Sequence, residues 1–168
     1  MKLSTLLSKI ILVTSIIFSV NPGYSQGKIE LSGGIGLPEL FNLKLKYGQN
    51  TQIGVFTGFY PFKWYGDNVT DWSFGIEIMH HFIGNSKYVA QAPWYLSGSI
   101  GYHDLSVINH YENYNISFCP RIGRTINFSE RIGTNLDIGL FLPLSPSKDN
   151  SYHFRLLPSG SISFLIRL

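Results

Sequence analysis

The sequence predicts an all-β fold, an eight-stranded antiparallel up-and-down β-barrel that crosses a membrane, preceded by a cleaved signal peptide. Three observations predict it. Beyond Gly27 the apolar residues recur with a period of two, and no stretch keeps the periodicity of an amphipathic helix. The connections between the alternating segments are short and long by turns, as a meander of antiparallel strands requires. Charged residues make up only 14% of the chain, against about 25% in an average soluble domain.

Residues 1–25, MKLSTLLSKIILVTSIIFSVNPGYS, have the layout of a secretory leader. Lys2 and Lys9 form a basic start, Ile10 to Val20 an apolar run, and Gly23 and Ser25 a small-residue exit. The run is shorter than the roughly 20 residues that a membrane-spanning helix needs. The expectation is a signal peptide over 1–25 and a single mature domain over 26–168, beginning at Gln26. No cysteine follows the cleavage point to take a lipid anchor. Cys119 stands alone, which excludes an internal disulfide and a cysteine-based zinc site. Two of the lysines behind the net charge of +3 leave with the leader, and no basic run remains, so no nucleic-acid partner is expected.

The elements follow in order. The first segment carries Ile29, Leu31, Ile35 and Leu37 on one parity. In the second, Phe41, Leu43, Leu45 and Tyr47 alternate with Asn42, Lys44 and Lys46. Ile53, Val55 and Phe59 mark the third, and Trp72, Phe74, Ile76, Ile78 and Phe82 the fourth. The fifth has Trp94, Leu96, Ile100 and Tyr102, and the sixth Tyr114, Ile116, Phe118, Ile122 and Ile126. Ile132, Leu136, Ile138, Leu140 and Leu142 make the seventh. An eighth runs from about Tyr152 to Leu168.

Tight turns are predicted at GQNT (48–51), GNSK (84–87) and NFSE (127–130), after segments two, four and six. Longer connections, PFKWYGDNVTDW (61–72), HDLSVINHYE (103–112) and PLSPSKDN (143–150), follow segments three, five and seven. Short and long connections therefore lie at opposite ends of the sheet, the one around Pro38–Glu39 being short although it falls on the long side. Pro93 opens a strand, whereas Pro120 and Pro158 fall inside strands and are expected to mark bulges.

Alternation does not say whether the oily face points in or out. A soluble barrel or sandwich would hide it and show water a face rich in Lys and Glu. Here the second face is mostly small or uncharged, with Ser32, Gly34, Gly36, Gly54, Gly58, Ser73, Gly75, Ser97, Ser99, Gly101, Ser161 and Ser163 among its residues. Small residues suit the crowded interior of a narrow barrel. A large apolar face turned to lipid explains the charge deficit, since a charge at mid-membrane costs roughly 2–4 kcal/mol. Aromatic residues on the oily parity fall in two bands: Phe41, Phe59, Trp72, Tyr102 and Tyr114 near the long connections, and Tyr47, Phe82 and Trp94 near the short ones. Membrane–water interfaces select such bands.

On these features the chain from Lys28 to Leu168 resembles the small eight-stranded outer-membrane barrels of Gram-negative bacteria, the OmpA- and OmpX-like group. Pattern carries the resemblance, not a diagnostic motif. It implies short turns and both chain ends in the periplasm, longer loops at the cell surface, and a bacterial outer-membrane location. It also implies contact with outer-membrane lipid, lipopolysaccharide and the outer-membrane assembly machinery. In that group the last strand ends in alternating hydrophobic residues that serve as the assembly signal. Phe164, Ile166 and Leu168 match it, although a terminal Leu departs from the commoner Phe.

The candidate sites are few. On the inward parity Lys44, Glu77, Arg121 and Asp137 fall near the middle of their strands, two positive and two negative, and are expected to close the lumen with their own charges. His80 and His81 are adjacent on a strand, so they point to opposite faces and do not chelate one metal ion. No cofactor is expected. GYHDLS brings His103, Asp104 and Ser106 near the outer end of segment five, the residue types an acyl hydrolase needs. A His-x-Ser pair on one strand face is missing, and so is an amphipathic helix ahead of the first strand. In loop two, Phe62, Trp64 and Tyr65 offer aromatic surface to an unidentified surface ligand or protein. The expected role is structural or surface-interacting, without catalysis. The alternatives are a lipid-A-modifying acyl hydrolase or transferase barrel and a soluble periplasmic lipid-binding barrel.

Overall fold

The computed structural model describes residues 28–60, 71–103, 116–144 and 156–168. Eight strands follow one another: β1 (Lys28–Leu37), β2 (Phe41–Gly48), β3 (Thr51–Tyr60), β4 (Asp71–Ile83), β5 (Trp94–His103), β6 (Ile116–Asn127), β7 (Ile132–Pro143) and β8 (Leu157–Arg167). Each pairs antiparallel with its neighbour in sequence, and β8 returns to β1 from Glu30↔Arg167 to Leu37↔Gly160. Closure leaves no row of unpaired backbone groups, which is the condition for a sheet to survive in lipid. The start expected for the eighth segment, Tyr152, and Tyr114 of the sixth lie outside the described residues, as do residues 1–27.

Successive side chains of a strand project to opposite faces, so the period of two becomes an inside and an outside. Outside stand Leu31, Leu43, Leu45, Ile53, Val55, Ile76, Leu96, Ile100, Ile122, Ile138 and Ile162, all exposed. Inside lie Ser32, Asn42, Gln52, Ser73, Ser97, Ser99, Ser117, Thr125, Asn135, Ser159, Ser161 and Ser163, all buried. A handful of large side chains, Phe56, Met79, Tyr95, Phe141 and Leu165, fill the space between them. The molecule is an inverted globule, oily outside and polar within.

The outer aromatic residues cluster at both ends. Phe41 stacks on Phe59 at 5.2 Å, Phe59 meets Trp72 at 5.7 Å, and Phe74 stacks on Tyr102 at 5.4 Å, forming a band at the end with the long connections. Cross-strand pairing sets these contacts, because Phe41↔Phe59↔Trp72 are directly opposite one another. At the other end Tyr47, Phe82, Trp94, Phe128 and Phe164 are exposed.

Two of the expected turns are tight. Gly48 adopts φ +134° to close the two-residue link into β3, and a Cβ there would collide with the Thr51 carbonyl. Between β6 and β7 the Phe128 and Ser129 N–H groups donate to the Ile132 carbonyl. The third is different. β4 runs to Ile83 and β5 starts at Trp94, so GNSK is the start of a longer segment, 84–93, and not a complete turn. Gly84 turns the chain at φ +96°, and the segment is then tied across the barrel end. His81 Nδ1 donates to the Ala92 carbonyl at 2.7 Å, and the Thr125 N–H donates to the Pro93 carbonyl at 2.8 Å.

The prolines inside strands also correct an expectation. The β6–β7 ladder passes from Phe118↔Leu142 to Arg121↔Gly139 without a change of register, and Pro158 pairs in phase with Leu140. A bulge needs an inserted residue, whereas each proline only withholds one N–H donor. The register shift in the β4–β5 ladder falls instead between His81 and Ile83, where the long segment leaves the sheet.

Candidate functional site

The outer face carries few charged residues, and most of the ionic side chains of the strands are inside. Among the described residues the buried ionic groups are Lys44, Lys46, Arg121 and Arg167 against Glu30, Glu39, Glu77 and Asp137, four of each sign. They form three groups along the barrel.

At the end with the tight turns, Glu30 of β1 lies directly opposite Lys46 of β2 on one side and Arg167 of β8 on the other. The register alone thus places a carboxylate between two cations. Lys46 Nζ is 2.6 Å from Glu30 Oε1, and Arg167 Nε is 3.3 Å from Oε2. Gly54 gives Lys46 its room, since a Cβ there would come within 2.6 Å of the lysine Cγ. The segment 84–93 joins this group from below. Gln91, itself buried, donates to the Gln49 carbonyl and accepts from Arg167 Nη2 at 3.3 Å. Arg167 Nη1 also donates to Asn127 Oδ1 at 2.8 Å.

Midway, Lys44 reaches across β3 to Glu77 of β4, Nζ to Oε1 2.9 Å. Nearer the long connections, Arg121 holds the third group. Its Nη1 stands 3.6 Å from Asp137 Oδ1 and its Nη2 3.8 Å from Glu39 Oε2, while Nε donates to Ser159 Oγ and Nη2 to the Leu37 carbonyl. Asp137 Oδ2 in turn accepts from Ser161 Oγ at 2.9 Å and from the Tyr95 hydroxyl at 3.2 Å. Tyr95 reaches it over Gly123, where a Cβ would sit 2.4 Å from the ring. Glu39 belongs to the short link between β1 and β2 and dips inward over Gly58, close enough that a Cβ on Gly58 would lie 2.7 Å from it. His103 Nδ1 approaches Glu39 Oε1 at 3.6 Å, and its ring packs edge-on against Phe141.

The four residues singled out by parity, Lys44, Glu77, Arg121 and Asp137, all face the lumen. They do not meet as one layer. Lys44 pairs with Glu77, and Arg121 with Asp137 and additionally with Glu39. Glu30, Lys46 and Arg167 sit on the same inward parity and could have been included by the same reasoning. Glu39 carries no such signal, because a connection has no alternation to read.

The remaining candidates divide between the barrel and the undescribed loops. His81 points inward and His80 contacts Thr51 Oγ1 at 2.8 Å, on opposite faces of β4. Among the described residues no group of three or more metal-binding side chains converges. Phe164, Ile166 and Leu168 are exposed on the outer face. Phe62, Trp64 and Tyr65 lie outside the described residues, as do Asp104 and Ser106.

No family model matches the sequence, and no curated protein sequence matches it. In three dimensions it is similar to the N-terminal β-barrel domain of OprF from Pseudomonas aeruginosa, with a TM-score of 0.54 over 84% of this chain and 96% of that domain, at 14% identity. The two share one fold. It is the eight-stranded closed barrel that the resemblance to the OmpA-like group implied. At so low an identity the likeness speaks for architecture, and residue roles rest on the geometry above.

Proposed function

We propose that the protein is an integral barrel of the bacterial outer membrane, with a lumen closed by its own charges and a structural or surface-interaction role. One observation carries this reading: the outer face of all eight strands is apolar while the buried ionic groups inside are balanced in sign. Lipid tolerates that outer face, and water would not. Two of the interior ion pairs join elements that are not neighbours in the sheet, Lys44 of β2 with Glu77 of β4 and Arg121 of β6 with Glu39 of the β1–β2 link, so they act as struts across the lumen. Gln91 is buried at one end against Gln49 and Arg167, and Glu39 at the other beside Arg121 and His103, which supports a lumen closed at both ends.

A soluble lipid-binding barrel would turn its apolar face inward to hold an acyl chain, and the interior here is polar and ionic. Catalysis has little support, since His103 is engaged with Glu39 and Phe141 inside the barrel. Contacts at the cell surface would fall to the long connections, with Phe62, Trp64 and Tyr65 as the aromatic candidates.

The test has two arms. The protein should stay with outer membranes through a carbonate wash, and purified protein in planar bilayers should show no steady conductance. Recovery in the soluble periplasm would refute the membrane reading, and a stable pore of porin size would refute the closed lumen. Altered acyl chains on lipid A from a deletion strain, seen by mass spectrometry, would favour the enzyme instead.

A further inference from the structure

The described lysines and arginines sort into two sets. Lys44, Lys46, Arg121 and Arg167 are buried, each beside a carboxylate. Lys28, Lys87, Arg124 and Arg131 are exposed, and all four lie at the end of the barrel that carries the tight turns. Lys28 opens β1 opposite Gly48, Arg124 stands opposite Trp94, Lys87 belongs to the segment 84–93, and Arg131 immediately precedes β7. Among the described residues none of these four forms an ion pair. The exposed acid beside them is Glu130.

Two of the cations rest on rings. The Arg124 guanidinium lies 5.5 Å from the Trp94 ring centre, and Lys87 Nζ lies 5.6 Å from that of Tyr88. Both rings are themselves exposed, so each cation sits on an amphipathic aromatic surface at the turn end of the barrel. The opposite aromatic band, from Phe41 to Trp72 and Tyr102, has no described cation beside it. Aromatic side chains explain a seat at a membrane interface at either end. The four exposed cations at the turn end, without an ion pair among the described residues, call for a partner of opposite charge.

We propose that this turn-side rim binds the phosphates of anionic phospholipid headgroups, taking the barrel to span a membrane as argued above. A guanidinium and three ammonium or guanidinium neighbours around one rim match headgroup phosphodiesters at the same depth. Glu130 opposes that attraction.

The full chain, inserted into vesicles of phosphatidylcholine containing a minor share of phosphatidylglycerol, is extracted in mild detergent and its retained lipids are counted by native mass spectrometry. Heat-modifiable mobility on gels reports insertion separately. At low salt the parent should retain phosphatidylglycerol about fivefold or more above its bulk share, the weight that even one basic residue carries near an anionic surface. The preference should fall in about 0.5 M salt. Lys87→Gln, Arg124→Gln and Arg131→Gln together should bring it near the bulk share, and Glu130→Gln should raise it. Bulk-share retention by the inserted parent, or unchanged retention by the inserted variants, would overturn the proposal. A parent that does not insert into these vesicles would overturn the membrane reading, and the rim proposal with it.

Discussion

Glu77→Ala is the sharpest perturbation of the lumen. Glu77 is 2% exposed and Lys44 6%, and their charged atoms are 2.9 Å apart. Removing the carboxylate leaves a buried ammonium without its partner, with Glu30 already engaged by Lys46 and Arg167 and Asp137 by Arg121. Stranding one member of a buried pair costs about 3–5 kcal/mol, which is roughly two to four orders of magnitude in the folding equilibrium. The assay is urea unfolding of the barrel in lipid vesicles, followed by the fluorescence of Trp72 and Trp94. Lys44→Met/Glu77→Leu is the control. Because it removes both charges and nearly keeps the volume, it should recover most of the loss. A Glu77→Ala protein within about 0.5 kcal/mol of its parent, the range of an unremarkable surface change, would refute the reasoning. Lys44 would then be solvated where it stands, in a lumen filled with water.

Glu30→Ala strands both Lys46 and Arg167, so its loss should equal or exceed that of Glu77→Ala in the same unfolding assay; a smaller loss would mean that Gln91 and Asn127 suffice for Arg167. Ile76→Lys, on the outer face at mid-strand, should cost about 2–4 kcal/mol in a bilayer, whereas a water-facing site would register almost nothing. Gly123→Ala forces a Cβ to within 2.4 Å of the Tyr95 ring and 2.7 Å of the Leu136 carbonyl, and should cost about 1–3 kcal/mol as overpacking does. Equal stability of that variant would show that Tyr95 can leave Asp137 freely.

Much of the architecture is legible because strand chemistry is local. Leu43, Leu45 and Tyr47 against Asn42, Lys44 and Lys46 already state two faces, since the period of two follows from backbone geometry whatever lies across the sheet. The same parity marks Arg121 and Asp137 as inward residues, apart from the apolar positions on the other face. Turn chemistry is local too, and Gly48-Gln-Asn-Thr behaves as its residues suggest.

Partnership is not local. That Lys44 takes Glu77, and that Arg121 divides itself between Asp137 and Glu39, depends on how far each strand is staggered against the next when the barrel closes. Parity is blind to that stagger. Glu39 enters the lumen from a connection, where no alternation exists to betray it, and only the gap left over Gly58 admits it. The segment 84–93 reads as a turn followed by nothing in particular, and is fastened at one barrel end only because His81, Gln49 and Arg167 are there to hold it. Pro120 invites a bulge in isolation, but neighbours on both sides hold the strand in phase and keep Arg121 inside. Local backbone geometry decided which face each residue joins, and the closure of the sheet decided which residues meet, because the distance between two charges belongs to neither strand alone.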